Sequence, residues 1–222
     1  MLLAVPTARE RARVQTTEAI LAAARTQLAD VGAAALSLRA VARDVGMVSS
    51  AVYRYFPSRD ELLTALIVEA YDAVGRAAEE AHDAAAGRTA RARWVAVWRG
   101  VRTWAQAHPA QYALIYGSPV PGYVAPEDTL PAAGRVGVVL GRIATEGHLD
   151  VEHEDLTAAV SPDVAEGLGI DPGLAPAAVE AWTTLFGIVG FELFGQYRNV
   201  VLDRETFFDH VADRAASSIG LP

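Results

Sequence analysis

The sequence predicts an all-α protein: an N-terminal unit of three helices, two of them short, followed by a larger helical C-terminal domain. Three observations carry this. Apolar residues recur at helical spacing along most of the 222 residues. The chain is 52% hydrophobic, and alanine, the best helix former, is very frequent. No segment shows a convincing strand alternation, and there is no internal repeat.

The elements follow in order. Residues 9–31 form a first helix, with Ile20, Ala24, Leu28 and Val31 on one face and Gly32 just past its end. Ser37 is placed to cap a second, short helix striped by Leu38, Val41, Ala42 and Val45, which stops at Gly46. A third helix spans about 48–55. Val48, Ala51, Val52 and Tyr55 form its apolar stripe, and Ser49, Ser50, Tyr53 and Arg54 its opposite face. Phe56 plugs its end and Pro57 breaks it. Ser58-Arg59-Asp60-Glu61 reads as a capping box that starts a long fourth helix.

Further helices are expected over 89–107, from Pro109, near 127–146, over 176–198 and over 203–219. A Gly/Pro loop lies at 117–126, and an acidic, irregular stretch with room for one helix at 147–174. The expected domains are residues 1–58 and 59–222.

Composition excludes several kinds of chemistry. With no cysteine there is no disulfide framework and no thiolate metal site. All 19 basic residues are arginine, so Schiff-base chemistry, a Walker A lysine and any lysine general base are excluded. Neither G-x-S-x-G nor G-x-G-x-x-G occurs. No enzyme activity and no cofactor are expected. The apolar run in MLLAVPTARERARV is too short for a signal peptide, and the most apolar later stretch, LFGIVGFELFGQY, is short and broken by Glu192. The expectation is a cytoplasmic protein with no membrane partner.

Charge is unevenly distributed. Residues 1–59 carry eight arginines against four carboxylates, a net of +4, so the remainder of this −8 chain sums to −12. Such asymmetry suggests an N-terminal unit that meets a polyanion.

Two short helices joined through Gly46 make a helix-turn-helix pair. The exposed face of its second member would enter a major groove. The small Ser49 and Ser50 allow close approach, and Tyr53 and Arg54 reach phosphates or base edges. The helix starts at Ser37 and Ser58 can direct N–H groups at phosphate, and Arg39 and Arg59 lie in those first turns.

Residues 16–63 resemble the N-terminal domain of the TetR family of bacterial transcriptional regulators. The resemblance is carried by Ile20-Leu21-Ala22-Ala23-Ala24, Leu36-Ser37-Leu38-Arg39-Ala40-Val41-Ala42, Val45-Gly46-Met47, Ala51-Val52-Tyr53-Arg54-Tyr55-Phe56 and Pro57-Ser58-Arg59-Asp60-Glu61-Leu62-Leu63. It implies that Tyr53 and Tyr55 contact phosphates, the latter at a position often held by His. It puts Arg59 in place of a frequent Lys that approaches the DNA backbone. Val48 stands where a Ser or Thr cap is frequent, with Ser49 available as a substitute. The resemblance further implies a helical ligand-binding and dimerisation domain. Ala181-Trp182…Phe186-Gly187 is similar to a subgroup with a Trp and a His-Gly pair, Phe186 replacing the His.

The expected function is therefore a ligand-responsive regulator, a repressor that binds double-stranded DNA as a homodimer on an inverted repeat and is released by a small apolar or aromatic effector. The alternative is a helical small-molecule carrier or enzyme. Trp94, Trp98, Tyr112, Tyr116, Trp182 and Phe186 are the candidate ligand-binding residues, with ordinary core the competing reading for the tryptophans. Glu192, in the most apolar helix, either meets an Arg, faces a dimer axis, holds a ligand or lies exposed. His148, Asp150, Glu152, His153, Glu154 and Asp155 match no metal motif and read as a solvated acidic loop. The 176–198 helix, with Gly187, Gly190 and Gly195, serves either a dimer interface or one subunit's interior.

Overall fold

The computed structural model describes residues 7–147 and 154–222. Of the acidic cluster at 148–155, His148 to His153 lie outside them. Among the described residues there are α-helices and two short 3-10 turns, and no strand.

Helix α1 (Ala8–Ala35) opens on a full capping box: Thr7 Oγ1 accepts from the Glu10 N–H at 3.2 Å, and the Glu10 carboxylate accepts from the Thr7 N–H at 2.6 Å. It leaves helical geometry at Gly32, close to the expected end. Helices α2 (Leu38–Asp44) and α3 (Ser49–Val52) follow, then α4 (Arg59–Ala84), where Ser58 Oγ accepts from the Glu61 N–H at 3.1 Å. Next come α5 (Ala90–Ala107), α6 (Pro109–Tyr116), α7 (Leu130–Ala133), α8 (Arg135–Ala144), α9 (Glu154–Ala159), α10 (Pro162–Leu168), α11 (Ala175–Leu193) and α12 (Arg204–Ser218).

Three expected spans differ. The helix near 127–146 is a 3-10 turn, a single turn α7 and then α8, divided around Gly134. The 147–174 stretch holds α9, α10 and a 3-10 turn rather than one helix. Helix α11 stops at Leu193 instead of running to 198. Gly195 takes φ 78°, the Gln196 N–H donates to the Phe191 carbonyl at 2.9 Å and the Gly195 N–H to that of Glu192 at 3.3 Å. This is a Schellman cap, and the left-handed residue it needs outweighs the continuing apolar pattern. Gly195 is thus the helix stop.

The chain divides into two compact units, Met1–Ala70 with Ala110–Glu127, and Tyr71–Pro109 with Asp128–Pro222. The first therefore extends past the boundary expected after residue 58. Bonds within it give the reason: Glu69 on α4 accepts from Arg25 on α1 at 2.6 Å, and Arg59 is tied to the end of α1. Leu62, Leu63 and Leu66 are buried. Within the second unit α5, α8, α11 and α12 pack on one another. Trp94 and Trp98 of α5 lie with ring centroids 5.9 Å apart, and Trp98 lies 6.1 Å from Phe208 of α12.

Pro172–Leu193 is long and apolar enough to cross a membrane by length and composition, a possibility the shorter run inspected in the sequence did not raise. Only 39% of its most apolar window is buried within the chain.

Candidate nucleic-acid interface and effector cavity

The turn between α2 and α3 is a second Schellman cap. Met47 N–H donates to the Ala42 carbonyl at 2.8 Å and Gly46 N–H to that of Arg43 at 3.1 Å, with Gly46 at φ 67°. The chain reverses there and starts α3 at Val48, which is extended (φ −70°, ψ 142°) and gives no side-chain cap. Ser49 supplies none either. Val48 is 70% exposed, contrary to its expected place in the apolar stripe. As the residue before the helix it lies outside the 3.6-residue period.

The α-helical part of α3 is one turn. Beyond it Arg54, Tyr55 and Phe56 N–H groups donate back to Ala51 and Val52 carbonyls, continuing the coil to Phe56. Val52 and Phe56 are buried and anchor the element, while Ser50, Tyr53 (42% exposed) and Arg54 face solvent and Ser49 and Tyr55 are half-buried. The structure thus brings the predicted recognition residues onto one short element. Its limited helix length matters little, because a recognition helix reads bases with its first residues.

Two other predicted DNA residues sit differently. Ser37 precedes α2 but makes no side-chain cap. Gln27 of α1, missed in the sequence, holds α2 instead: its amide donates to Asp44 at 2.7 Å, and it is nearly buried. Its signal was a polar residue beside Leu28 on an otherwise apolar face. Arg39 is exposed in the first turn of α2, as expected. Arg59 donates from Nε to the Leu36 carbonyl at 3.1 Å and from Nη2 to those of Ala33 (2.8 Å) and Ala34 (3.1 Å). Its fork satisfies the orphan carbonyls at the end of α1, so in this structure it positions α4 on α1 instead of facing outward to a phosphate.

The second unit contains an apolar cavity of about 280 Å³. Trp94, Leu140, Leu168, Val179, Trp182 and Ile219 supply its bulky walls, and Gly137 and Gly141 of α8 leave the space. Among the described residues no charged side chain lines it. Of the six predicted ligand residues, Trp94 and Trp182 are here. The others are not: Trp98 is fully buried with its indole N–H unpaired, Phe186 is buried and stacks edge-on to Trp182 at 5.5 Å, and Tyr112 and Tyr116 belong to the other unit. Aromatic content along the sequence marked the region, but helix orientation chose which rings face the space. Trp94 Nε1 donates to the Ala212 carbonyl at 3.2 Å, so that ring offers the cavity an apolar surface.

Glu192 has the Arg partner that was one of its expected fates, and Gln106 adds a 3.1 Å bond. Among the described residues no group of three or more His, Asp or Glu could hold a metal ion.

A protected helix-turn-helix with an exposed Tyr/Arg face, joined to a helical unit with its own cavity, defines a helix-turn-helix DNA-binding regulator. Residues 20–66 match the family model for bacterial regulatory proteins of the tetR family, and residues 94–215 the tetracyclin repressor-like C-terminal domain. The chain is 40% identical over 213 residues to the HTH-type transcriptional regulator Rv1816 of Mycobacterium tuberculosis, covering 90% of this chain and 91% of that protein. The counterpart Mb1846 of Mycobacterium bovis matches equally. A crystal structure of the regulatory protein SCO4313 superposes with a TM-score of 0.81 at 33% identity, over 95% of this chain and all of that one. The fold alone is shared with RolR, solved with resorcinol, at TM-score 0.54 and 17% identity over 94% of this chain and 93% of that one. The chain belongs to the TetR family of bacterial transcriptional regulators.

Proposed function

We propose that the protein is a repressor that binds an inverted-repeat operator as a homodimer and is released when a small, uncharged, apolar or aromatic molecule enters the cavity of the second unit. One observation carries this reading: α11 borders two different spaces. Ala178, Val179 and Trp182 line the cavity, while Glu180, Ala181 and Thr184 border an open groove shared with α12. Phe207 lines the groove and, like Phe191 (55% exposed) and Phe194 beyond it, is open to solvent, and Tyr197 stacks edge-on to both Phe191 and Phe207 at 5.8 Å. An exposed aromatic cluster of this kind suits burial against a second copy. A ligand that shifts α11 would then alter the pairing of the two subunits. It weakens DNA binding only if it prefers the DNA-incompetent arrangement. RolR, a fold relative, was solved with the aromatic ligand resorcinol, in keeping with an aromatic effector.

The test is fluorescence anisotropy on the DNA upstream of the protein's own gene, against a scrambled duplex at the same salt, together with sedimentation for the oligomeric state. Binding about a thousandfold tighter to the native duplex by a dimer is expected. Failure to discriminate there and after selection from random DNA would remove the operator reading, and a monomer at micromolar concentration would remove the dimer.

A further inference from the structure

The first unit holds a second basic feature, a cleft between the recognition element and the part of α1 that precedes the matched helix-turn-helix. Arg9, Ala12, Arg13 and Thr16 share one face of α1, at spacings of three, one and three, and line a cleft with Arg54 and Tyr55. The family match begins only at residue 20. Arg9, Arg13 and Arg54 are exposed, and among the described residues none of them forms an ion pair. The nearby carboxylates of α1 are engaged elsewhere: Glu10 in the capping box with Thr7, and Glu18 with Arg25 at 2.7 Å. Arg13 lies over the Tyr55 ring, 5.5 Å from its centroid, which holds its guanidinium at the cleft.

Three like charges around one cleft repel one another, and Arg9 sits in the first turn of a helix, where the macrodipole disfavours a cation. Both penalties are removed by an anion. Guanidinium forks match phosphate oxygens in pairs, and Arg54 joins the cleft to the recognition element itself.

We propose that Arg9 and Arg13, with Arg54, form a phosphate clamp that holds the DNA backbone flanking the segment contacted by α3, so that the extension of α1 before residue 20 enlarges the DNA footprint. This rests on the chain being a DNA-binding regulator. Because the clamp meets only backbone, its contribution is independent of sequence.

The experiment uses the full-length protein, wild type and Arg9→Gln/Arg13→Gln, the latter chosen because glutamine keeps helix propensity. Anisotropy is followed on a mixed-sequence duplex across a salt series, with Arg88→Gln/Arg142→Gln, two exposed arginines of the other unit, as the charge-matched control and circular dichroism as the check on folding. The double variant is expected to bind more weakly at every salt concentration, with a log-log salt slope shallower by about two units per bound subunit, while the control keeps the wild-type slope. A double variant that is folded and shows the wild-type slope overturns the clamp and leaves the helix-turn-helix reading intact. Wild-type protein that binds no duplex at all overturns both. If the double variant is misfolded, Arg9→Gln alone decides, with an expected decrease of about one unit per bound subunit and an unchanged slope overturning the proposal.

Discussion

Arg102 on α5 and Glu192 on α11 meet through two hydrogen bonds, Nε to Oε2 at 2.7 Å and Nη2 to Oε1 at 2.8 Å, while the Arg102 guanidinium also lies over the Phe208 ring at 5.0 Å from its centroid. One bidentate pair thus joins three helices of the second unit. Removing one partner leaves a poorly hydrated charge behind. Glu192→Ala is expected to cost about 2–3 kcal/mol in urea unfolding, and Arg102→Met/Glu192→Leu together much less, because a well-packed apolar pair has no stranded charge. Equal losses in single and double variants would contradict this.

The same pairs set an acid limit. Bonds from Arg102 hold Glu192 below its ordinary range, as those from Arg99 do for Asp209 and those from Arg91 for Asp213. A carboxylate with a depressed folded-state pKa gives stability that is fully present above its unfolded value, near about 4, and lost as pH falls through the lower folded value. Denaturation midpoints should hold from neutral pH to about pH 5 and fall below about pH 4. In Glu192→Gln that fall should be smaller.

Arg59→Ala removes three bonds to the end of α1, so a stability loss of about 1–3 kcal/mol is expected. Its salt slope on DNA should match wild type. Arg59→Lys should recover little, since an ammonium cannot span carbonyls on both sides. A shallower slope at full stability would return Arg59 to the phosphate contacts.

Tyr53→Ala touches an exposed ring and should leave the melting temperature within a few degrees of wild type. DNA binding should weaken by about 5- to 150-fold, as for loss of a contact of roughly 1–3 kcal/mol, while binding of apolar ligands is unchanged. Anisotropy on DNA and ligand-quenched tryptophan fluorescence measure the two separately.

Two glycines of α8 should respond differently. A Cβ at Gly137 meets only the Cδ2 end of Leu168, at 2.8 Å, whereas at Gly141 it meets the Leu168 backbone oxygen at 2.7 Å. A side-chain tip can move and a helix backbone cannot. Gly137→Ala should fold normally with a narrower cavity. Gly141→Ala should lose about 1–3 kcal/mol through overpacking. Thermal melts distinguish them.

How much was legible in the sequence depended on the range of the interaction. Periodicity gave the first four helices, and Ser58 acts as the cap it resembles, because capping and amphipathic packing need only residues within a turn or two. The turn at Gly46 was readable for the same reason. The exposed Tyr/Arg face was legible too, since burying Val52 and Phe56 leaves Tyr53 and Arg54 outside. The end of α11 was not, because the apolar pattern ran past Gly195 and only the backbone conformation showed the stop.

By itself, the sequence determined an all-helical chain, its helix-turn-helix, its exposed Tyr/Arg face and its charge asymmetry, all set by local spacing and composition. The tertiary structure decided where long side chains end. It bound Arg59 to carbonyls 23 to 26 residues away, paired Glu192 with Arg102, turned Trp94 but not Trp98 toward the cavity and gathered Arg9, Arg13 and Arg54. These are contacts between helices, fixed by crossing angle and rotation, and no spacing along a single helix encodes them.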